Sequence, residues 1–463
     1  MRHNKLGSTA VLPMAIALLW LHWPSVVSAQ KDTAALAQGR RPNVLLVMAD
    51  DLGYECLSVN GSTSYKTPNL DEMARTGVRF THAFAQPLCT PTRLQLMTGQ
   101  HNFRNWRSFG VMDPSEKTFG HMMQRAGYRT LITGKWQLFS YDAPPSKYRG
   151  TGLRPAQAGF DEYLLWHDAL SEDKGSRYAD PVLNLNGTMM TGTKGKYGPD
   201  QFSDYLIDFM TRHKDKPFFA YYPMALTHGP FNATPRSADW RDGDRLKDDP
   251  KYFKDMVEYL DADMGKVLAA VDRLGLASNT IVIFYADNGT PPEITSRMGD
   301  RVIPGGKRLT TEAGMRVPMI ARWRGKSPEG RVCNDLIDSS DFLPTLCEAT
   351  GAKWFEGRPL DGRSFLPQVR GEKGNPREVL FSHFDPHPSC KADIKPTRLA
   401  WDHRWKLYLD GRLYDWKNDP MEQKPVTNGG GEARKRLQKV LDDMAKVKPP
   451  KFNKYEPDGK PAY

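Results

Sequence analysis

The chain has 463 residues, with 65 Lys and Arg against 54 Asp and Glu, for a formal net charge of +11. That length allows a large core and two domains, and a basic surface fits polyanions: sulfated glycan, nucleic acid or acidic membrane. The positive excess is spread along the chain, without a strong Lys/Arg block or a nucleic-acid motif, which argues against nucleic acid and favours sulfated glycan.

Residues 1–29 read as a secretory signal. Arg2 and Lys5 give a basic start, Ala10 to Leu21 an apolar run, and Val27-Ser28-Ala29 a cleavage site, so Gln30 begins the mature protein. The run is short for a membrane anchor and Pro13 interrupts it; no later segment is apolar enough to cross a bilayer, so stable membrane insertion is not expected. Export places the protein in the periplasm or outside the cell and permits disulfides. The five cysteines (Cys56, Cys89, Cys333, Cys347 and Cys390) are odd in number, and their spacing does not assign pairs.

Asn43-Val44-Leu45-Leu46-Val47-Met48 is an almost wholly apolar run, as expected for a buried parallel strand. It ends in Ala49-Asp50-Asp51-Leu52-Gly53. Two adjacent carboxylates at a strand's carboxyl end lie where open α/β sheets bind ligands. They repel unless a cation holds both, and hard oxygen ligands select Ca²⁺ or Mg²⁺. A helix cap or turn is the plainer reading of one such pair.

Asn69 to Arg75 has a helical pattern and Val78 to Ala83 a strand pattern. Then comes Cys89-Thr90-Pro91-Thr92-Arg93-Leu94-Gln95-Leu96-Met97-Thr98-Gly99. Pro91 suits the opening turn of a helix. Cys89 then lies at the helix N-terminus, where backbone N–H groups favour negative charge, and Arg93 is one turn further on the same face. The plainer reading is a buried cysteine ahead of a proline-started helix.

Further along, Thr118 to Ala126 is helical. Arg129 to Thr133 is a strand, followed by Gly134-Lys135-Trp136-Gln137-Leu138. Gln201 to Arg212 is an amphipathic helix, and Pro217 to Tyr222 is a strand followed by Leu226-Thr227-His228-Gly229-Pro230. Tyr252 to Leu274 is a long helix, and Thr280 to Tyr285 is a buried strand ending in Ala286-Asp287-Asn288-Gly289. Two strands ending in oxygen-rich turns suggest one shared metal site. No Cys/His cluster has zinc spacing. The strand–helix alternation predicts a mostly parallel sheet with helices on both faces. From about Asn375 the pattern changes to short strands, Glu378 to Phe384, Thr397 to Trp401, Trp405 to Leu409 and Arg412 to Trp416, with Asp410-Gly411 as a hairpin turn. Glu432 to Lys446 is a charged amphipathic helix, and the Pro- and Lys-rich tail is expected to be loosely held.

The Cys89–Gly99 stretch resembles the sulfatase signature, C-x-P-x-R with a following threonine–glycine pair. The resemblance extends, in the order that family requires, from about Asn43 to Asp419. It takes in Asp50-Asp51, Gly134-Lys135-Trp136, Thr227-His228-Gly229-Pro230, Asp287-Asn288, and Gly305-Gly306-Lys307 with Thr311 to Pro318. It implies an alkaline phosphatase-like α/β fold with a large, mostly parallel central sheet and a small C-terminal antiparallel-sheet subdomain. On this reading 1–29 is the signal, 30–374 the catalytic domain and 375–463 the C-terminal subdomain. The resemblance implies that Cys89 is oxidised to formylglycine by a maturation enzyme. It also implies that one Ca²⁺ per subunit is held by Asp50, Asp51, Asp287, Asn288 and an oxygen of the modified Cys89.

By the same resemblance Arg93, Lys135 and Lys307 hold the hydrated aldehyde and the sulfate. One hydroxyl of the hydrate attacks sulfur, and loss of the second hydroxyl's proton releases sulfate. His228, with Lys307 beside it, protonates the leaving oxygen. Most members carry a histidine where this chain has Gln137, and glutamine cannot take a proton near neutral pH. The implied activity is sulfate ester hydrolysis on sulfated carbohydrate. Alternatives are a phosphodiesterase or phosphonate monoester hydrolase on the same fold, and a non-catalytic sulfated-glycan binder, to which Gln137 lends weight. Trp166-His167, Glu293, Arg301 and His387 are loop candidates for sugar selectivity.

Overall fold

In the computed structural model, Asn43–Ala49 forms strand β1, buried along its whole length. The structure describes residues 41–139, 150–166, 175–385 and 396–447, together with the backbone of two short strands, Lys454–Tyr455 and Pro461–Ala462. The predicted signal segment, His167, His387, Cys390 and most of the tail lie outside the described residues. From Pro42 onward the chain clusters as one compact unit.

The strands follow the apolar runs. After β1 come β2 (Val78–Phe84), β3 (Arg129–Lys135), β4 (Glu162–Trp166), β5 (Asn184–Leu185), β6 (Thr188–Met189), β7 (Phe218–Pro223) and β8 (Thr280–Ala286). A two-stranded ribbon, β9 (Thr295–Met298) and β10 (Arg301–Pro304), precedes β11 (Arg316–Arg322) and β12 (Arg331–Asp338). Ten of these make one sheet in the order β12-β2-β11-β8-β1-β7-β3-β4-β5-β6. Strands β8, β1, β7, β3 and β4 run parallel at its centre, and β11 is antiparallel to both neighbours.

Helices cover both faces, as side-chain alternation along β7 makes plain. Phe218 packs edge-on against Phe209 of the helix Gly198–His213, and Tyr222 donates to Asp263 of the helix Phe253–Arg273 at 2.8 Å. Phe219 and Tyr221 point the other way, onto Phe119 of the helix Phe119–Arg125. The helix Cys89–Thr98 lies with that second group and is buried at every residue.

Register fixes what meets at the sheet's carboxyl edge. Met48 pairs with Tyr285 and Ala49 with Ala286, so Asp50-Asp51 and Asp287-Asn288 leave the sheet side by side. Met48 also pairs with Pro223, which brings the segment 224–230 to the same edge. One expectation needs correcting: Lys135 is the last residue of β3 rather than a residue of the following loop. The strand can run that far because Gly134 has φ +123°, and a Cβ there would lie 2.0 Å from the Pro223 carbonyl oxygen.

The C-terminal sheet has four antiparallel strands, β13 (Leu380–Phe384), β14 (Thr397–Trp401), β15 (Trp405–Tyr408) and β16 (Leu413–Asp415). Leu437 and Leu441 of the helix Gly431–Lys446 cover one face. Trp401, Tyr408 and Trp416 join Phe84 and Met315 in a shared apolar cluster. The small sheet is therefore docked on the main one near the carboxyl ends of β2 and β8.

Candidate active site

The sheet edge brings together Asp50, Asp51, Cys89, Arg93, Lys135, His228, Asp287, Asn288 and Lys307. Asp50, Asp51, Asp287 and Asn288 are all buried. The Asp51 N–H donates to Asp287 Oδ1 at 3.0 Å, and Asn288 Nδ2 to Asp51 Oδ1 at 2.7 Å. Backbone bonds lock the turns together: Asp50 N to Leu226 O at 2.8 Å, Thr227 N to Asp50 O at 2.6 Å, and Asp287 N to Ala49 O at 3.1 Å. Asp51 has φ 62° and Gln137 φ 56°, left-handed conformations that L residues adopt at a cost and that gather at functional sites.

Each carboxylate has its own cation. Lys135 Nζ is 2.7 Å from Asp50 Oδ2, and Lys307 Nζ is 2.5 Å from Asp51 Oδ2. Arg93 Nη2 is 2.9 Å from Asp287 Oδ2 and 3.8 Å from Asp50. Cys89 is the first residue of its helix, Pro91 the third, and Arg93 stands one turn below Cys89. Thr92 secures that helix by donating to the Asp287 carbonyl at 2.6 Å. The Cys89 thiol donates to Gln137 Oε1 at 3.3 Å. His228 Nδ1 donates to the Gly229 carbonyl at 2.6 Å, which turns Nε2 toward Asp51 at 3.7 Å.

The electrostatics follow from burial among these charges. Burial raises the Asp50 carboxyl, but Lys135, His228, Arg93 and Lys307 together outweigh it and hold it well below the usual carboxylate range. Asp287 goes the other way: burial and then the Asp50 charge push it up, against the pull of Arg93. Burial, then Lys307 and Lys135, hold His228 well below its usual value. Burial raises the Cys89 thiol, so an unmodified Cys89 is a protonated thiol rather than a reactive thiolate.

The donor set suits a hard divalent cation. Asp50 Oδ1 and Asn288 Oδ1 are buried without a hydrogen-bond partner among the described residues. Orphaned buried oxygens among converging carboxylates are an anomaly in water-free protein and the ordinary condition of a Ca²⁺ or Mg²⁺ ligand. Asp50, Asp51 and His228 also present ligand atoms within 4.8 Å of one another.

Of the loop candidates, Glu293 is exposed and lines a cavity of about 330 Å³ with Asp51, His228 and Lys307. Trp166 is buried at the end of β4, where its indole donates to Gly175 O and carries the Arg177 guanidinium 3.8 Å above its ring. Its position is that of a packing residue. Arg301 is on β10, paired with Glu312 at 2.9 Å. The sequence did not point to Tyr178, whose hydroxyl donates to the carbonyls of Ala225 and His228 and so fixes the His228 turn. Nor did it point to Arg177, buried with no hydrogen-bond partner for Nη1 among the described residues. Both follow the segment 167–174 in a region without strand or helix periodicity, and nothing local marks them.

Comparison with known proteins bears on this arrangement. A sequence model of the family described as Sulfatase matches residues 42–352, and one described as N-sulphoglucosamine sulphohydrolase, C-terminal, matches 306–447. Arylsulfatase A of Homo sapiens is 34% identical over 406 residues, covering 81% of this chain and 76% of that protein. N-acetylgalactosamine-6-sulfatase of Mus musculus is 30% identical over 404 residues, covering 80% and 74%. Among solved structures, BT4656 in complex with its substrate D-glucosamine-2-N,6-O-disulfate superposes with a TM-score of 0.71 at 22% identity, covering 88% of this chain and 98% of that one. Among the described residues, no helix is long and apolar enough to cross a membrane.

Proposed function

The chain belongs to the sulfatase family and hydrolyses sulfate esters, and from that premise we propose an exported, calcium-dependent enzyme acting on sulfated carbohydrate through a formylglycine made from Cys89. One observation carries this reading. Asp50, Asp51, Asp287 and Asn288 converge with Cys89, Arg93, Lys135 and Lys307, and among the described residues Asp50 Oδ1 and Asn288 Oδ1 have no hydrogen-bond partner. The four oxygen donors and an oxygen of modified residue 89 would hold one calcium ion per subunit.

Three carboxylates here balance three cationic side chains. A bound divalent ion makes the site net positive, which an anionic ester requires. Calcium and the aldehyde hydrate supply charge neutralisation and an oxygen nucleophile. The remaining work falls to the chain's own residues. Arg93 holds Asp287 and flanks residue 89 from one turn below. Lys135 and Lys307 supply fixed positive charge on either side of the ester. His228, its Nδ1–H tied to Gly229 O, turns a bare Nε2 into the site beside Lys307; a proton taken up at Nε2 once the anionic ester is bound is then passed to the leaving oxygen. Gln137 orients residue 89 by a hydrogen bond and takes no proton.

Carbohydrate is favoured by the sugars of the N-acetylgalactosamine-6-sulfatase relative and of the glucosamine-disulfate complex. The basic charge balance agrees. Residues 1–29 serve as a cleaved signal delivering the enzyme to the periplasm or the exterior, 30–374 form the catalytic domain and 375–463 the C-terminal subdomain. A formylglycine-generating enzyme is the maturation partner.

Mass spectrometry of the Cys89 peptide from active native protein, with elemental analysis, tests the reading. Formylglycine and one calcium per chain are expected. A plain thiol in fully active enzyme refutes the maturation, and faster turnover of a phosphate ester than of a matched sulfate ester refutes the substrate class.

A further inference from the structure

A second cavity, larger than the one over the proposed metal ligands, lies beside it. It measures about 660 Å³ and lies between the loop after Lys307 and the small C-terminal sheet, lined by Arg308, Thr310, Phe384, Thr397, Tyr408 and Arg412 among others. That volume is well inside the range of about 300–1,000 Å³ typical of ligand sites. The 330 Å³ cavity holding Asp51, His228 and Lys307 shares one wall residue with it, Arg308. The two cavities therefore meet at Arg308.

Arg308 is held there against its own backbone preference. Its φ is 80°, and its N–H donates to the Pro87 carbonyl at 2.9 Å. The loop around it is rigid: Leu309 N bonds Gly306 O at 2.8 Å, and a Cβ on Gly314 would fall 1.9 Å from Leu309 O. Among the described residues the Arg308 guanidinium has no hydrogen-bond or ion-pair partner. The other charged groups of the large cavity are spoken for. Arg412 is paired with Asp410 at 2.8 Å and lies over the Tyr408 ring, and Tyr408 bonds Thr310 at 2.7 Å.

We propose that the large cavity is a second sugar subsite, and that Arg308 binds an anionic substituent, carboxylate or sulfate, on the residue adjoining the target ester. This rests on the sulfatase reading above. An aromatic and hydroxyl-rich lining with one uncommitted guanidinium suits an anionic oligosaccharide, since Arg binds both groups through paired N–H donors. The enzyme then selects a chain of at least two sugar units over a lone sulfated monosaccharide.

The test measures kcat/KM of the matured full-length enzyme on 4-nitrocatechol sulfate, and on monosaccharides and tetrasaccharides from chondroitin 6-sulfate, heparan sulfate and carrageenan. Arg308→Ala and Leu409→Trp, the latter at the cavity rim, are compared with wild type, each normalised to its own aryl sulfate rate. The expected result is a gain of tenfold or more from monosaccharide to tetrasaccharide in at least one series. Arg308→Ala should remove most of that gain, chiefly through KM. Loss of the gain for chondroitin but not carrageenan assigns the contact to a carboxylate, and the reverse to a sulfate. No gain with length in any series, or a gain that both variants keep, overturns the subsite. Failure of wild type on the aryl sulfate as well as the sugars overturns the sulfatase reading itself.

Discussion

Replacing Gly134 by alanine should damage stability and catalysis together, through one contact. The added Cβ would sit 2.0 Å from the Pro223 carbonyl oxygen, so one of the two strands must give by about 1 Å to restore an ordinary contact. Neither is free to do so. Lys135, the next residue, holds Asp50 at 2.7 Å, and Met224, next to Pro223, donates to Met48 O at 2.8 Å. The φ of +123° adds strain of about 1–3 kcal/mol for any residue with a Cβ. Strain and displacement together should cost roughly 3–4 kcal/mol of stability. A 1 Å shift of Lys135 or the Asp50 turn should lower kcat/KM about 100-fold. Gly192→Ala is the control, because Gly192 also has positive φ (72°) but has nothing within 4 Å of the added Cβ. It should lose about 1 kcal/mol from backbone strain and no activity. Urea denaturation and aryl sulfate kinetics on both variants decide the matter. A Gly134→Ala enzyme as stable as Gly192→Ala and fully active would refute the claim that this close approach positions Lys135.

Burial lifts Asp263 from an ordinary 3.8 to about 7, so between those values the folded chain keeps a proton that the unfolded chain releases, and this contribution to stability is lost as pH rises. Asp263→Asn cannot titrate; its stability relative to wild type should improve by up to about 4 kcal/mol from pH 4 to pH 7, and a pH-independent difference in urea midpoints would contradict this. Chelation of calcium should abolish turnover and lower the melting temperature, with recovery of both on adding Ca²⁺ but not Zn²⁺; about 2.7 kcal/mol is at stake at a hundredfold excess over Kd. Lys406→Met removes the cationic partner of the Glu422 carboxylate, 2.6 Å away, leaving it only the Tyr408 hydroxyl, and should cost about 3 kcal/mol by calorimetry. It should also lower activity, because Lys406 Nζ bonds the Thr310 carbonyl near Lys307.

The two acidic turns were legible because β1 and β8 are buried on both faces and so read as unbroken apolar runs, leaving Asp50-Asp51 and Asp287-Asn288 as abrupt polar ends. The helix of Cys89 and Arg93 was legible from its proline and its closing glycine, Gly99. Strand β11 was harder, because Pro318 argues against a central strand. The structure accommodates it with a register shift between Val317 and Met319, where no ladder bond is asked of the proline. Strand β12 hid because Arg331, Asn334 and Asp335 interrupt its apolar pattern, and a second register shift falls between Cys333 and Leu336. Tyr178, Arg177 and Arg308 matter through what distant segments bring to them, and such neighbours leave no trace in local periodicity.

The loop bearing Lys307 is braced from two directions. Lys307 N bonds Thr290 O on the main-sheet side, while Thr310 and Glu312 bond Lys406, Tyr408 and Pro420 on the other. Residues 406–420 therefore act as a buttress for a lysine that precedes them by about a hundred positions. A premature stop codon after Lys307 and before the Pro420 turn should silence the enzyme even though every residue of the candidate site had already been translated.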